Sequence, residues 1–194
     1  MKPFVVTLLG ALVLAASGSL HAADSYRFDK AHTQILFFIS HLGFSQSQGE
    51  FLEYDGQFTF DPEDLTNSAV EVAIATGSID MDMEKWDAHM RSADFFDVEQ
   101  YPEMRFVSTA IEETGDNTFA LTGDFTLLGK TLPVTLDVTF NKAGRHPFNG
   151  EFVAGFSATT TIKRSDFGMN YGLPAIGDEV HIRLEVEGIR QSES

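Results

Sequence analysis

Hydrophobic and polar residues alternate with a period of two along much of this chain. The windows 70–75, 134–140 and 180–186 each place Val, Ile, Leu or Phe at every second position, between polar or small residues. Successive side chains of a β-strand point to opposite faces, so each window predicts a strand with one apolar face and one wet face. Other apolar windows predict further strands at 35–39, 51–60, 104–111, 118–127 and 151–163.

The number and spacing of these windows predict an all-β fold. About eight strands is the size at which a closed antiparallel barrel has room for one small ligand. Single glycines inside the windows, at Gly56, Gly123 and Gly155, predict the bulges or bends that let a sheet coil. No repeat, low-complexity tract or linker interrupts the windows, so residues 23–194 are predicted to form one domain.

One segment breaks the strand pattern. Trp86, Met90 and Ala93 fall at positions i, i+4 and i+7, which predicts a short helix over 86–93 with one apolar face. Acidic residues precede this segment and basic residues lie near its end, as the helix dipole favours. A single short helix in a strand-rich chain is predicted to cap one end of the barrel, with its Trp86/Met90 face buried.

The window 35–39 differs from the others because it is apolar on both faces. In a soluble protein the outer face of such a strand needs a cover, which a helix, the chain termini or a second subunit could supply. This window is the sequence's indication of a homodimer.

The N-terminus predicts secretion. Lys2 precedes an uncharged apolar run at 4–16, and small residues follow. The run is shorter than the roughly 20 residues that span a bilayer, so it predicts a signal peptide more strongly than the alternative, an uncleaved anchor. We expect residues 1–22 to be removed, with the mature chain beginning at Ala23 or Asp24, and the product to be soluble in the periplasm.

Composition narrows the class of partner. The chain has no Cys, so its core alone must hold it in an oxidising compartment. Thirteen basic against 29 acidic residues give a net charge of −16, which argues against binding nucleic acid or an anionic membrane. Eighteen Phe beside one Trp and four Tyr suggest a lined cavity, because Phe adds apolar bulk without a polar group that needs a partner.

Neither catalysis, a metal nor a cofactor is predicted. The histidines after the signal peptide lack metal-ligand spacing. Ser92 lies near His89 and Asp94, but no Gly-x-Ser-x-Gly elbow or Cys occurs, so helix-end hydrogen bonds are the favoured role. No phosphate-cradling glycine loop is present. Two polar residues could contact a ligand headgroup, namely His41 and Arg164. For Arg164 the alternative is a structural Arg–Asp pair at a strand end, and exposed pairs of that kind stabilise little.

Alternation places a set of apolar residues on the inner face of the barrel. The segment around the helix adds three more, which would close one end. These residues would line an open bore or, as in many eight-stranded barrels, fill it completely. The predicted set is Phe37, Ile39, Phe51, Phe58, Phe60, Val72, Ile74, Trp86, Met90, Phe95, Phe106, Leu121, Phe156, Ile162, Ile182 and Leu184.

The amino-acid sequence of one segment resembles the signature of a known protein family. His-Met-Arg-Ser-Ala-Asp-Phe-Phe-Asp-Val-Glu-Gln-Tyr-Pro-Glu-Met-Arg-Phe-Val-Ser, at 89–108, is similar to the signature of the YceI family of bacterial periplasmic lipid-binding proteins. An opening pattern and later blocks match in the same order, so the resemblance covers essentially the whole mature chain. The matching positions are Asp29, His32, Phe37, His41, Gly43, Ser45, Gly49 and Phe51, and the blocks 122–129, 133–136, 154–156 and 163–168.

The resemblance implies a lipocalin-like antiparallel barrel that encloses a long isoprenoid or fatty chain, often as a homodimer. It favours a periplasmic carrier of an isoprenoid quinone, polyprenyl or fatty derivative, with no catalytic step and no cofactor beyond that lipid. It also implies an association with stress responses, while the membrane donor and acceptor stay open. The alternative is an enzyme of lipid or stress metabolism with a reactive group at the barrel mouth.

Overall fold

The computed structural model describes residues 23–191, which form eleven strands and one α-helix. Residues 1–22, the expected signal peptide, lie outside the described part. Within that part no helix is long and apolar enough to cross a membrane. In chain order the elements are β1 Asp24–Phe28, β2 Gln34–His41, β3 Ser45–Phe51, β4 Tyr54–Phe60, β5 Ala69–Ala75, β6 Ile79–Asp80, α1 Glu84–Met90, β7 Glu103–Gly115, β8 Thr118–Leu127, β9 Lys130–Arg145, β10 Phe152–Lys163 and β11 Ile176–Arg190.

Eight of the strands close into an antiparallel barrel, as predicted. Their order is β1-β4-β5-β7-β8-β9-β10-β11, and β1 pairs with β11 to close the ring. The pairings shift register between Gly155 and Phe156, and between Ser108 and Ala110 opposite Gly123. These shifts confirm two of the three glycine positions at which the sequence predicted bulges or bends.

The strands of the ring are not all the predicted ones. β1 was not predicted. It pairs with the C-terminal part of β11. β2 pairs with the N-terminal part of β11, and β3 and then β6 follow beside β2. The single strand expected at 51–60 is wrong. β3 ends at Phe51 and β4 begins at Tyr54, because the chain changes neighbours at this point: β3 pairs with β2, and β4 pairs with β1 and β5.

The two ends of the barrel differ. We call "helix end" the end that carries α1, the hairpin between β2 and β3, and the loop 168–175. We call "aromatic end" the opposite end, where Tyr26 stacks on Phe58 with ring centroids 4.9 Å apart and further rings pack around them at 5.0–6.4 Å. The aromatic cluster consists of Tyr26, Phe28, Phe58, Phe60, Phe119, Phe140 and Phe156.

The helix lies at one end of the barrel, but its orientation corrects the prediction. α1 ends at Met90, so Ala93 lies beyond it, and Trp86 is 43% exposed. The buried residue of the helix is Asp87, whose carboxylate accepts a hydrogen bond from the Met81 N–H at 2.8 Å. Arg91, just after the helix, donates to the carbonyl oxygens of the β6 region. Polar contacts therefore fix the helix, and the indole stays partly exposed at the end of the barrel.

Candidate functional site

The interior of the barrel is a cavity of about 420 Å³, within the range of small-molecule sites. The two predicted headgroup residues, His41 and Arg164, also lie on its wall. Every apolar residue assigned to the bore from the sequence lines it: Phe37, Ile39, Phe51, Phe58, Phe60, Val72, Ile74, Trp86, Met90, Phe95, Phe106, Leu121, Phe156, Ile162, Ile182 and Leu184. That they contact a ligand stays a prediction.

Part of the cavity wall is only partly buried. Ile162, Val180, Ile182 and Leu184 point inward from β10 and β11, yet each is only half-buried. An inward side chain that is accessible to water faces empty space, since a packed core leaves almost no room for a water molecule. The alternative of a completely filled barrel is therefore wrong.

Sequence reasoning missed several lining residues. Val134, Leu136 and Val138 lie in a window whose alternation was recognised, so that signal could have found them. Others come from turns, loops or the unpredicted β1, where no period marks them. The further lining residues include Phe28, Tyr54, Met81, Met104, Phe119, Phe125, Leu127, Met169, Ile176 and Val180.

The cavity reaches the surface at the helix end, beside the exposed residues Trp86 and His89. The His41 and Trp86 rings lie 6.4 Å apart between centroids, and the His89 ring stands edge-on to Tyr171 at 5.2 Å. We call this opening the mouth. Ser68 and Ala69 border the cavity at the aromatic end, beside the packed rings.

Arg164 is a buried cation close to the mouth. It is 2% exposed and lies between β10 and the loop that precedes β11. Its guanidinium donates to the carbonyl oxygens of Gly177, Met169, Tyr171 and Ile176 at 2.7–3.2 Å, and burial lowers its pKa. Arg164 therefore has the structural role that the sequence offered as the alternative, but its hydrogen-bond partners are backbone carbonyl oxygens and not an Asp. Four of its five N–H groups bind backbone carbonyl oxygens, so its main role is to shape the loop 168–175, which we call the mouth loop.

Asp178 fixes the same loop from the other side. Its carboxylate accepts hydrogen bonds from the Ser165 N–H at 3.0 Å and the Ser165 hydroxyl at 2.8 Å. These bonds, with the backbone N–H as the largest contribution, lower the pKa of Asp178. The 3-10 turn Arg164–Phe167 is thereby tied to the start of β11.

Other polar side chains on the wall are hydrogen-bonded to backbone groups. The Thr160 hydroxyl donates to the Thr135 carbonyl at 2.8 Å, and the Thr33 hydroxyl donates to the Glu187 carbonyl at 3.1 Å. The Ser68 hydroxyl accepts from the Asp61 N–H at 3.0 Å. Because these groups are already engaged, the wall offers a ligand an almost entirely apolar surface.

The Ser92, His89 and Asp94 group has no catalytic geometry. The His89 ring pairs with Asp94 at 3.1 Å, but the Ser92 hydroxyl donates to the His89 carbonyl at 2.7 Å and not to the ring. This is the helix-end hydrogen bond that the sequence favoured. A catalytic Ser would need its hydroxyl hydrogen-bonded to the imidazole ring, which acts as the base.

One group of side chains has the spacing of a metal site, and the sequence did not indicate it. The ligand atoms of Asp29, His32 and Glu187 lie within 4.8 Å of one another on the barrel wall. The hydrogen bond between His32 Nδ1 and the Asp29 carboxylate, 2.8 Å long, raises the pKa of His32 and lowers that of Asp29. This pairing favours a protonated imidazole, whereas a metal ligand must be neutral. The pair is best described as a surface ion pair.

Comparison with known sequences identifies the family. The YceI-like domain matches residues 26–188. A UPF0312 protein of Pseudomonas putida (strain W619) is 42% identical over 192 residues, which cover 98% of each chain. A UPF0312 protein of Pectobacterium carotovorum is 39% identical over 193 residues, covering 98% of this chain and 99% of the relative.

Solved structures share the fold. Burkholderia cenocepacia BcnA is similar with a TM-score of 0.75 at 27% identity, covering 82% of this chain and 98% of that one. A Campylobacter jejuni YceI protein gives 0.68 at 28% identity, covering 79% and 90%. A polyisoprenoid binding domain from Saccharophagus degradans, at 11% identity, TM-score 0.62 and coverage of 87% and 99%, shows the fold alone. The match of the YceI-like domain over residues 26–188 and these full-length relatives establish that the chain belongs to the YceI-like family.

Proposed function

We propose that this protein binds the long apolar chain of an isoprenoid quinone, polyprenyl or fatty derivative in its barrel and carries it in the periplasm, without a catalytic step. The continuous apolar cavity of about 420 Å³ is the observation that carries the proposal. The neighbour named as a polyisoprenoid binding domain supports the same class of ligand. The periplasmic setting is supported by the sequence of residues 1–22.

The magnitudes agree with tight binding. Each buried methylene contributes about 0.8 kcal/mol, so ten of them contribute about 8 kcal/mol, and a longer chain contributes proportionately more. Association and ordering take back roughly 4–15 kcal/mol. A chain with many more than ten buried methylenes should therefore stay bound through purification, whereas a short one should exchange.

The chemistry of the wall supports binding over catalysis. Catalysis needs polar groups that converge on one reacting atom. Thr33, Thr160 and Arg164 instead direct their donors to backbone carbonyls. His41 and His89 stand at the mouth, where they could meet a headgroup but not the apolar chain inside.

The test is to extract the purified protein with organic solvent and to identify what is released by mass spectrometry. Ile162→Asp places a carboxylate in the bore, where it has no partner, so lipid recovered per folded protein should fall more than tenfold. Thr161→Asp is the matched control, because Thr161 is the outward neighbour of Ile162 on β10.

Circular dichroism checks that both variants fold. His41→Ala should keep most of the lipid, since the imidazole adds little apolar contact. If Ile162→Asp folds and keeps its lipid while His41→Ala loses it, a polar site at the mouth and not the bore carries the function. If the wild type releases no lipid and takes up none, the carrier proposal fails.

A further inference from the structure

Large hydrophobic side chains are exposed around the mouth. The described part of the chain has seven such residues, and five of them lie at the helix end: Leu42, Phe44, Met83, Trp86 and Tyr171. We call these five the rim. Phe44 is 89% exposed at the tip of the β2–β3 hairpin. Isolated exposed hydrophobic residues are ordinary, but a group gathered at the opening of a cavity marks an interaction site.

Three separate segments hold the rim together. The Leu42 N–H of the hairpin donates to the Ala175 carbonyl of the mouth loop at 3.0 Å. The ring contacts of His41 with Trp86, and of His89 with Tyr171, join both segments to α1. The rim therefore comes from three segments that meet at the helix end, and not from a flat face of one element.

Two of the three segments carry no charge. Neither 31–49 nor 167–177 contains an Asp, Glu, Lys or Arg, in a chain whose net charge is −16. Such segments can leave water without desolvating an ion. The third segment brings Asp82, Glu84 and Lys85 beside the rim, so its balance is acidic. A partner whose surface carries excess negative charge would therefore be repelled by this segment.

The cargo itself requires a direct contact. Each methylene that is exposed to water disfavours a free lipid by roughly fourfold, so a long chain almost never crosses an aqueous gap on its own. An apolar chain that enters the bore must come from another apolar phase held against the mouth. Trp86 belongs to both the rim and the mouth, and the other rim residues lie on the same three segments as His41, His89 and Met169, which line the cavity.

We infer that the rim docks on a phospholipid bilayer with zwitterionic headgroups, and that the apolar chain passes directly between this bilayer and the bore. The inference rests on the proposed function. Trp and Tyr are the side chains that favour the membrane–water interface, and Phe, Leu and Met add apolar contact below it. The absence of charge in 31–49 and 167–177 and the acidic balance of α1 favour neutral over anionic lipid.

Trp86 provides a direct reporter, because it is the chain's one Trp. Protein from the periplasmic fraction, with its N-terminus read by mass spectrometry, is titrated with phosphatidylcholine vesicles. The fluorescence of Trp86 should shift to shorter wavelength, and lipids with brominated acyl chains should quench it. Replacing half of the lipid with phosphatidylglycerol should weaken binding. No shift on the neutral vesicles, or tighter binding to the anionic ones, would overturn the inference.

A pair of matched variants locates the contact. Phe44→Ser removes a rim side chain and should weaken vesicle binding about tenfold or more. Phe148→Ser removes a Phe that is 92% exposed in the loop at the aromatic end, and it should bind as the wild type does. Equal binding by the two variants would show that the rim is not the contact.

Two further measurements separate the alternatives. If vesicles do not bind but Phe44→Ser converts a dimer to monomers in sedimentation, the rim joins two copies of the chain and the inference is wrong. Solvent extraction of the same preparations keeps docking distinct from the proposed function. Protein that holds lipid but ignores vesicles refutes docking alone, and protein that docks but neither holds nor takes up lipid refutes the carrier function alone.

Discussion

At the aromatic end of the barrel rings pack against rings, whereas at the helix end apolar side chains stand around open space. Phe58 contacts three neighbouring rings at 4.9–5.7 Å and is buried. Ile182, in the cavity wall, is half-buried although it points inward. Both follow from inward alternation, so the difference lies in side-chain volume. Rings pack closely on one another at one end, whereas aliphatic side chains of β10 and β11 border the open part of the bore.

The two ends are also held differently. The aromatic cluster relies on apolar contact, which is non-directional. The helix end relies on directional hydrogen bonds: Arg164 donates to backbone carbonyl oxygens, and the Asp87 and Asp178 carboxylates accept from backbone N–H groups. Polar anchors can fix a loop or a helix without filling the space beside it. The comparison indicates that hydrogen bonds to the backbone stabilise the helix end without filling the bore, so that the ligand cavity can stay open.

The largest loss of stability is expected at the aromatic end. Phe58→Ala should lower the free energy of unfolding by about 3–5 kcal/mol, because it leaves a cavity among packed rings. Ile182→Ala should cost clearly less, since its side chain already borders empty space. Urea denaturation of both variants measures the difference. Equal losses would contradict the distinction between a packed and an open region.

Arg164 should come next in size. Arg164→Lys keeps the charge but cannot reach four carbonyl oxygens, so about 3 kcal/mol of stability should be lost, mainly from unpaired carbonyls. Arg183→Lys is the control, because Arg183 is exposed on β11. If Arg164→Lys is as stable as the wild type, charge alone holds the loop and the hydrogen bonds are dispensable.

Trp86 should have a smaller effect than its size suggests. Its indole is 43% exposed and Asp87 and Arg91 fix the helix, so Trp86→Ala should cost less than about 1 kcal/mol. The same denaturation measurement tests this value. A loss of several kcal/mol would restore the sequence-based expectation that the helix packs its Trp86 face into the barrel end.

Period-two alternation could predict the barrel wall because a closed sheet imposes that period on every strand. It predicted residues such as Phe58 and Ile182 correctly for the same reason. It could not predict the break at Leu52 and Glu53, which no glycine or proline marks and which follows from a change of strand partner. The carbonyl partners of Arg164 were also out of reach, because they lie in an irregular loop that only the tertiary structure brings together.

The smallest effect concerns pH at the helix end. Hydrogen bonds from Ser165 lower the pKa of Asp178 from its usual 3.8, so the ionised carboxylate stabilises the folded state above that value. The contribution is lost as the pH falls through the lowered pKa. Asp178→Asn should therefore be less stable than the wild type at pH 7, by about 1 kcal/mol or less, and the gap should shrink below pH about 4.

Urea midpoints at pH 7 and pH 3 measure this gap, with Asp166→Asn as the control because Asp166 is exposed in the same turn. The aromatic cluster has no ionised group, so the gap between Phe58→Ala and the wild type should stay nearly constant over the same pH range. A gap for Asp178→Asn that persists at pH 3 would mean that the amide disturbs the turn by its shape. The charge of the Asp178 carboxylate would then contribute less to the stability of the helix end than its hydrogen bonds indicate.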